Sequence, residues 1–404
     1  MKKYSTFILV LFLGIFIACK SGGEPNNSLE LLRRPYLQSA IADSLTVLWR
    51  TNEGTNAKLA FKQPEESKWS FVSGQTRKTN TGIIENEVAL KSLIPNTAYQ
   101  YRIYTDDVLL LEQDSLYFRS PINAQDSVFS FFAVGDIGEA VEDEGTPDKL
   151  GQALIPFVDS LNFGLLLGDI IYPDGRSEDY DTNLFQYFGE VFPYVPVFTV
   201  LGNHDWHEPE ENYMKEWKLP GNEHYYSFDY GNVHFIGLDT KNGELYNYNE
   251  QVAWFQSDLA TSKKQFDWII VFLHHNGKSC TYKNDYEGVV SLYPIFDEYG
   301  VDLVLNGHAH TYERLNPMNG KGEIVDQSEG FTSITVGSGG KLRGIGTDPK
   351  PFVPNPDSCK YPGLVATYTH DWAFLNLEIS GKQLKGTAIT TKDLKQVDRF
   401  EINK

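Results

Sequence analysis

Two histidines lie one residue apart in the segment Val304–Arg314, whose sequence is VLNGHAHTYER. Imidazole is a common metal ligand and the chain has only nine histidines, so His308 and His310 are candidate ligands. Gly307 gives the backbone the freedom to form a loop at this point. The pair alone fits an ordinary loop as well as a metal site, and only the rest of the chain can separate these two interpretations.

Four other apolar segments end in side chains that can bind a metal. Their sequences run FSFFAV into GDIG, FGLLL into GDIIY, PVFTVL into GNHD, and WIIVFL into HH. With the histidine pair, the candidate ligands are Asp136, Asp169, Tyr172, Asn203, His274, His308 and His310. Apolar runs of strand length that alternate with helical patterns predict an α/β domain, with helices at Asn249–Ser262 and Val289–Tyr299. Ligands of such folds bind beyond the carboxyl ends of the strands, so we expect the five loops to converge on one edge.

The types of donor atom narrow the choice of metal. Carboxylate, amide, phenol and imidazole groups together suit hard or borderline metals such as iron, manganese and zinc. None of the seven candidates is a cysteine, which argues against a structural zinc site. Seven donors are too many for one four-coordinate ion and about right for two. The sequence therefore predicts a two-metal centre at the strand ends.

The five motifs GDIG, GDIIY, GNHD, VFLH and GHAH resemble, in this order, those of the calcineurin-like metallophosphoesterases. The tyrosine in GDIIY is typical of the purple acid phosphatase branch, and the helical segment Gln251–Leu259 is a further match. The resemblance extends from about Leu31 to the C-terminus. It implies an α/β catalytic domain, a two-sheet sandwich flanked by helices, preceded by a fibronectin type III-like β-sandwich.

The resemblance also implies how the seven ligands divide between two ions. The first ion is ferric in purple acid phosphatases, and the second is Fe(II), Zn(II) or Mn(II). The implied ligands are Asp136, Tyr172 and His310 for the first ion, Asp169 as a bridge, and Asn203, His274 and His308 for the second. A phenolate is a hard anionic donor that suits a trivalent ion. A bridging carboxylate offsets the repulsion between cations that lie about 3.5–4 Å apart in two-metal sites.

The implied activity is hydrolysis of phosphate monoesters. Two ions lower the pKa of a bound water to about 7, and the resulting hydroxide attacks phosphorus in line. The role would be phosphate scavenging outside the cytoplasm. The motifs determine the chemistry and not the substrate, so a phosphodiesterase or a nucleotide-processing enzyme with the same site remains an alternative. A surface binding protein without turnover is a third hypothesis, which the complete ligand set disfavours.

The proton donor to the leaving group is less evident. Plant-type purple acid phosphatases carry further histidines after the VFLH motif, but here the segment His274–Gly288 has none beyond His275. His204, next to Asn203 in GNHD, is therefore the candidate general acid. His275 is either a structural histidine or a substrate contact, and His207 is a weaker candidate for substrate binding.

The chain begins like an exported lipoprotein. Two lysines precede the apolar run Phe7–Ile17, which is too short to span a bilayer comfortably and is typical of a signal peptide. The following Ala18-Cys19 resembles a lipoprotein cleavage site, which would make Cys19 the acylated first residue of a membrane-anchored protein facing the periplasm or the cell surface. An ordinary cleaved signal peptide is the alternative.

The predicted organisation is a signal peptide at 1–19, a flexible tether at 20–30, a β-sandwich at 31–122 and a catalytic domain at 123–404. Alternating apolar residues predict short strands in the β-sandwich, and the segment Leu93–Arg102 resembles the tyrosine corner of fibronectin type III domains. The remaining cysteines, Cys280 and Cys359, would form a disulfide in an exported protein or stay unpaired.

The overall charge limits the partners. A formal net charge of −19 repels nucleic acid, anionic membrane surfaces and, at long range, an anionic substrate. A small phosphorylated substrate would therefore need strong local positive charge, which metal ions would provide. The sequence does not indicate an oligomeric state.

Overall fold

The computed structural model describes residues 28–79, 81–111, 116–143, 145–207, 211–281, 283, 285–341 and 359–404. The predicted signal peptide with Cys19, and most of the predicted tether, lie outside these residues. Within the described part, no helix has both the length and the apolar character needed to cross a membrane.

The N-terminal part of the described chain consists of antiparallel strands. They are β1 (Leu31–Ile41), β2 (Ser44–Thr51), β3 (Ala57–Lys62), β4 (Ser70–Ser73), β5 (Gln75–Lys78), β6 (Ile84–Leu90), β7 (Ala98–Thr105), β8 (Val108–Leu109) and β9 (Tyr117–Arg119). One described sheet has the order β1–β2–β6–β5, and another has β4–β3–β7–β8 with β9 also paired to β7. Alternate residues of β7 are buried, as its period of two predicts. Trp49 and Tyr101, from different sheets, are fully buried members of the core.

Tyr99 makes the contact expected of a tyrosine corner. Its hydroxyl oxygen accepts a hydrogen bond from the backbone N–H of Ile94, five residues upstream, at 3.0 Å. This contact fixes the turn between β6 and β7. The fibronectin type III likeness of the whole N-terminal part, and its boundary at residue 122, stay predictions.

The remaining described chain contains both strands and helices, and its α-helices lie before Gly300. The strands are β10 (Val128–Val134), β11 (Phe163–Leu166), β12 (Val197–Thr199), β13 (Tyr226–Tyr230), β14 (Val233–Gly237), β15 (Thr240–Lys241), β16 (Glu244–Leu245), β17 (Trp268–Phe272), β18 (Leu303–Asn306), β19 (Tyr312–Leu315), β20 (Thr332–Val336), β21 (Val365–Thr369), β22 (Ala373–Ser380), β23 (Gln383–Thr390) and β24 (Gln396–Asn403). The helices are α1 (Pro147–Leu154), α2 (Ser177–Tyr180), α3 (Glu211–Glu216), α4 (Tyr248–Ser262), α5 (Glu287–Val290) and α6 (Tyr293–Tyr299). The fold is therefore mixed α/β, as predicted.

The five strands that precede the candidate ligands belong to two sheets. Strands β10, β11 and β12 are parallel neighbours in a sheet of order β12–β11–β10–β22–β23–β24. Strands β17 and β18 are parallel neighbours in a sheet of order β13–β14–β17–β18–β20–β19–β21. The five loops therefore converge from the carboxyl ends of strands in two sheets, which agrees with the implied two-sheet architecture; no single open sheet carries all five.

Aromatic side chains pack the two sheets against each other. Phe131 and Phe163 of the first sheet stack with centroids 5.0 Å apart, and the ring of Phe235 from the second sheet meets both edge-on at 5.3 Å. Such edge-to-face pairs are favourable beyond the area that they bury. Because the sheets are held face to face, the carboxyl ends of β10, β11, β12, β17 and β18 can meet.

The two predicted helices differ in outcome. The helix predicted at Asn249–Ser262 is α4, with bounds that agree within one residue. The helix predicted at Val289–Tyr299 is interrupted, since α5 ends at Val290 and α6 begins at Tyr293. Pro294 lies in the first turn of α6, where its missing N–H is harmless, and it would disrupt the interior of a continuous helix.

The N-terminal strands also support the segments around the GNHD motif. The backbone N–H of Leu37 donates to the carbonyl of Phe192 at 3.1 Å, and the side-chain amide of Gln38 donates to the carbonyl of Val197 at 3.1 Å. Val197 begins β12, the strand that leads to GNHD. Strand β1 therefore braces one of the strands that carry candidate ligands.

Candidate metal centre

Three candidate ligands follow their strands in a strained backbone conformation. Asp136, Asp169 and His308 have φ angles of 57°, 48° and 67°. A left-handed conformation of a residue with a side chain costs about 1–3 kcal/mol where it is strained, and such residues cluster at functional sites. The backbone N–H of His308 donates to Asp136 Oδ2 at 2.8 Å, which ties the loops after β10 and β18 together.

Glycines permit close approach between these loops. A Cβ on Gly202 would lie 2.2 Å from Asp169 Oδ1, and a Cβ on Gly307 would lie 2.6 Å from Asp136 Oδ2. A larger residue at either position would displace a carboxylate. The sequence predicts that Gly307 provides conformational freedom; in the structure its neighbour His308 takes the positive φ, and the close contact requires the small size of Gly307.

One group of candidates surrounds the phenol of Tyr172, which is fully buried. The Tyr172 hydroxyl lies 2.8 Å from Asp136 Oδ1 and 2.9 Å from Asp169 Oδ2, either of which can accept its single proton, and 3.3 Å from His310 Nε2. His310 Nε2 is also 3.3 Å from Asp136 Oδ1. The three side chains implied as ligands of the first ion therefore converge, with Asp169 beside them.

A second group shares Asp169 with the first. His274 Nε2 lies 3.3 Å from Asp169 Oδ1 and 3.2 Å from His308 Nδ1. The other ring nitrogen of His274, Nδ1, is 2.8 Å from the backbone carbonyl of Leu167, a contact that orients the ring. Asp169 has one oxygen next to each group, which is the arrangement that a bridging ligand requires.

Asn203 tests whether cations fit this centre. Its Oδ1 is buried and has no hydrogen-bond partner. Leaving such an acceptor buried and unpaired costs about 1–3 kcal/mol, so native structures rarely do so without a reason. The next residue, His204, donates its backbone N–H to Asp169 Oδ1 at 2.8 Å, so Asn203 lies at the same centre. The orphaned oxygen and the surrounding donor types fit a metal ion.

The electrostatics of the centre also fit added positive charge. Burial, and then the charges of Asp136 and Asp169, raise the pKa of Tyr172 well above its usual value, so a phenolate would need a cation beside it. Burial alone would raise the pKa of Asp169, but the adjacent His274 holds it well below its usual value. Burial would lower the pKa of His274, and the charge of Asp169 instead raises it to about 9. A proton on His274 therefore partly balances the carboxylates.

Asp205 links two of the motif loops. Its carboxylate accepts hydrogen bonds from the backbone N–H groups of Ile170 at 3.0 Å and Gly202 at 2.8 Å. Burial and the neighbouring charge of Asp169 raise the pKa of Asp205 to about 7. The residue thus positions the GDIIY loop against the GNHD loop.

His204 lies at the rim of the centre. Its side chain is 28% exposed, its Nε2 is 4.0 Å from Asp169 Oδ2, and its ring centroid is 4.5 Å from that of Tyr172. Its Nδ1 contacts the carbonyl oxygen of Pro173 at 2.5 Å, which turns Nε2 toward the centre. The position suits a group that exchanges protons with a substrate.

The other two candidate histidines differ in location. His275 is buried, contacts Thr240 Oγ1 through Nδ1 at 3.0 Å, and its ring centroid is 4.4 Å from that of His308. Its donor atoms lie close enough to those of His274 and His308 for the three to hold an ion. His207 is half exposed, pairs with Asp174 at 3.1 Å, and has its ring centroid 4.9 Å from that of His204, at the rim of the centre; its role in substrate binding stays a prediction.

Two further residues lie at the centre and are not predicted from the sequence. The Tyr286 hydroxyl lies 2.5 Å from His308 Nε2, in the segment where no additional histidine was found. The ammonium group of Lys341 lies 3.9 Å from the ring centroid of Tyr172 and pairs with Glu139. Tyr286 is in the loop that precedes α5 and Lys341 in the loop that follows β20, and no spacing rule connects either to the five motifs.

Cys280 and Cys359 are bonded in the structure, with Cα atoms 5.1 Å apart and a sequence separation of 79. The bond joins the loop after β17 to the segment before β21. Cys280 lies six residues after His274, so the disulfide anchors a loop that borders the candidate centre.

Chemistry rather than cavity size identifies this centre. A cavity of about 630 Å³ lies elsewhere, between the N-terminal strands and α4, with Asp43, Ser227, His234 and Asp258 in its lining. His234 there is bonded to carboxylates through both ring nitrogens, at 2.6 and 2.8 Å, so its polar atoms are satisfied. The motif residues line a different part of the molecule.

Comparison with known proteins agrees with the position of this centre. Residues 129–312 match the calcineurin-like phosphoesterase family. This segment contains all seven candidate ligands, from Asp136 to His310. Purple acid phosphatase 18 of Arabidopsis thaliana is 27% identical over 337 residues, which cover 76% of this chain and 71% of that protein.

Solved structures share the fold. A purple acid phosphatase, PPD1 from yellow lupin (Lupinus luteus) seeds, superposes with a TM-score of 0.77 over 91% of this chain and 74% of that one, at 20% identity. The structure of PhoD superposes with a TM-score of 0.67 over 92% of this chain and 90% of that one, at 13% identity. The chain therefore has a phosphoesterase fold related to that of purple acid phosphatases, which is consistent with metal-dependent hydrolysis of phosphate esters.

Proposed function

We propose that this protein hydrolyses phosphate esters at a centre of two metal ions. The observation that carries the proposal is the convergence of donor groups from five loops, with the buried Asn203 Oδ1 left without a partner. The likeness to phosphoesterases supports the same conclusion.

The two groups of side chains suggest how the ions are held. Asp136, Tyr172 and His310 would bind the first ion, and the phenol favours ferric iron there. Asn203, His274 and His308 would bind the second, a divalent iron, zinc or manganese ion. Asp169 would bridge them, since its two oxygens face the two groups at 2.9 and 3.3 Å.

The reaction needs charge stabilisation and proton transfer. When bound, the ions would supply positive charge that activates water and offsets the charge of the phosphoryl oxygens. His204 would protonate the leaving oxygen through Nε2, because Nδ1 is engaged by Pro173. Lys341, beside Tyr172, would add positive charge to a protein whose net charge is strongly negative.

The substrate is proposed to be a small phosphate monoester, and the biological role to be phosphate scavenging outside the cytoplasm. A monoester dianion gains more from two cations than a diester monoanion does. A phosphodiesterase or nucleotide-processing activity with the same site is the second candidate. Anchoring through an acylated Cys19 is part of the proposal, and Cys19→Ser should release the protein from the membrane fraction.

Turnover by purified, metal-reconstituted protein is the direct test. We expect an aryl phosphate monoester to be hydrolysed faster than an aryl phosphate diester, with loss of activity on chelation and recovery when metal is restored. A preference for the diester would favour the second candidate. An absence of turnover on both esters with two ions bound would instead indicate a binding protein.

A variant pair tests the ligand assignment. Asp169→Asn should lower the content of both ions, because the bridge belongs to both. Asp302→Asn is the control, since Asp302 pairs with Lys404 at 2.7 Å, away from the candidate centre. Wild-type content of both ions in Asp169→Asn would show that the assignment is wrong.

A further inference from the structure

Tyr286 is the residue immediately before α5, and it makes a close contact with a proposed metal ligand. Its hydroxyl oxygen lies 2.5 Å from His308 Nε2. The ring centroids of the two residues are 5.0 Å apart and the rings are nearly perpendicular, at 78°. The contact is therefore made by the edge of the imidazole, where the ring nitrogen lies.

The two nitrogens of His308 face different surroundings. Nδ1 is 3.2 Å from His274 Nε2, which in turn is 3.3 Å from Asp169 Oδ1, so Nδ1 belongs to the proposed metal centre. Nε2 lies across the ring from Nδ1 and meets Tyr286. An imidazole that gives the lone pair of Nδ1 to a cation keeps its proton on Nε2, and that N–H needs an acceptor. The phenol oxygen of Tyr286 is in the position to accept it.

The ring of Tyr286 is held on two further sides. Its centroid is 4.7 Å from that of His275, with the rings at 62°. On another side lies Gly243, where an added Cβ would come within 1.8 Å of Tyr286 Cδ1, so only glycine leaves room for the ring. His275 is itself fixed by Thr240. The orientation of the phenol is thus determined by packing before any metal binds.

The loop that carries Tyr286 is also anchored away from the centre. Cys280 is bonded to Cys359, and its backbone N–H donates to the buried carboxylate of Glu313 at 2.9 Å. Asp285, next to Tyr286, accepts from the backbone N–H of Ser279 at 3.2 Å and pairs with Lys360 at 2.9 Å. These contacts hold the segment that precedes Tyr286 in place.

We propose that Tyr286 is a positioning residue for His308: its hydroxyl accepts the Nε2–H and so holds Nδ1 toward the second metal site. This inference rests on the proposed function, because it requires His308 to bind an ion. Partners of this kind orient metal-ligating histidines, and their loss typically lowers metal affinity 10- to 100-fold. The first metal site does not include His308, so its affinity should not change.

Tyr286→Phe is the test, since it removes the hydroxyl and keeps the ring that packs on His275 and Gly243. Metal content is measured by elemental analysis after dialysis against a graded series of free zinc concentrations. We expect the second ion to bind about 10- to 100-fold more weakly, with the first ion unchanged. Tyr293→Phe is the matched control: its hydroxyl accepts from the backbone N–H of Lys278 at 2.7 Å in the same loop and does not touch His308.

The outcomes separate this inference from the proposed function. If the wild-type protein binds two ions and hydrolyses phosphate esters, and if Tyr286→Phe has unchanged zinc affinities, the inference alone is overturned. If Tyr286→Phe binds both ions more weakly to the same extent, or if Tyr293→Phe shows the same loss of zinc affinity, Tyr286 only stabilises the loop. Wild-type protein that binds no second ion would overturn both proposals.

A second measurement uses the wild-type protein. In zinc-loaded protein with ¹⁵N-labelled histidine, the resonances of His308 are assigned by their absence from His308→Gln. We expect the proton on Nε2 and the metal on Nδ1. The opposite tautomer would overturn the inference whatever the affinities of the variants are.

Discussion

A buried cluster of charges joins the N-terminal strands to the segment that follows GNHD, and it allows a quantitative prediction. Glu216, the last residue of α3, accepts from Arg33 at 2.6 Å and from Arg50 at 2.8 Å. The three side chains are 2%, 1% and 4% exposed. Each arginine keeps one other carboxylate, Asp181 for Arg33 and Glu85 for Arg50. The perturbation is Glu216→Gln, which removes the charge and keeps the size.

The expected cost follows from the loss of the negative charge. Both arginines stay charged, so the hydrogen bonds that the new glutamine accepts from them are still bonds to a charged group, and what is lost is the negative charge of the carboxylate. We expect this loss to cost about 2–3 kcal/mol in total. Removing a partner from a buried ion pair typically costs about 3–5 kcal/mol, and the retained carboxylates explain why we expect less here.

Urea denaturation of wild type and variant measures this difference in the free energy of unfolding. Glu190→Gln is the matched control, because the Arg34–Glu190 pair, at 3.3 Å, is 30% and 58% exposed. An exposed pair is worth only about 0–1 kcal/mol. If Glu216→Gln lost no more stability than Glu190→Gln, the argument that the buried charges join the two parts of the molecule would be refuted.

Three further predictions concern the candidate centre and His234, in the cavity beside α4. In iron-loaded protein, Tyr172→Phe should abolish a visible charge-transfer band and leave the circular dichroism spectrum unchanged; a colourless, fully active enzyme that contains only zinc or manganese would exclude ferric iron. His204→Ala should slow hydrolysis of alkyl phosphates by about 10²–10⁴-fold and that of nitrophenyl phosphate far less, since a basic leaving group depends most on the donated proton. Equal losses on both substrates, with metal content unchanged, would assign His204 to phosphoryl binding instead. Burial would lower the pKa of His234, but hydrogen bonds and charge from Asp229 and Asp258 raise it to about 9. The pKa of His234 in the folded state is therefore higher than its value of about 6.5 in the unfolded state. The resulting stabilisation is about 3 kcal/mol at most, and it should be complete below about pH 6.5 and lost as pH rises through 9. The difference in the free energy of unfolding between pH 6 and pH 10 should be smaller in His234→Asn than in the wild type. An equal difference in the two proteins would contradict the assignment.

Much of the candidate centre was predictable from local patterns. An apolar run of strand length followed by glycine and a polar donor specifies both a strand and what lies at its end, because neighbouring residues along the chain decide each feature. Asp136 and Asp169 follow their strands as predicted, and α4 agrees with its periodicity. Tyr172 is identified by its motif, and the structure places its hydroxyl between both carboxylates.

Contacts between distant segments were not predictable in this way. The motif strands belong to two sheets, and these sheets are held together by packing such as that of Phe235 against Phe131. No short sequence pattern records such a contact. The contact of Tyr286 with His308 depends on a disulfide, on a glycine in another loop and on the carboxylate of Glu313. Sequence spacing thus determined which donors this protein has and where its strands end. Tertiary structure decided which side chains orient those donors, because that choice depends on which loops the packed sheets bring within hydrogen-bond distance.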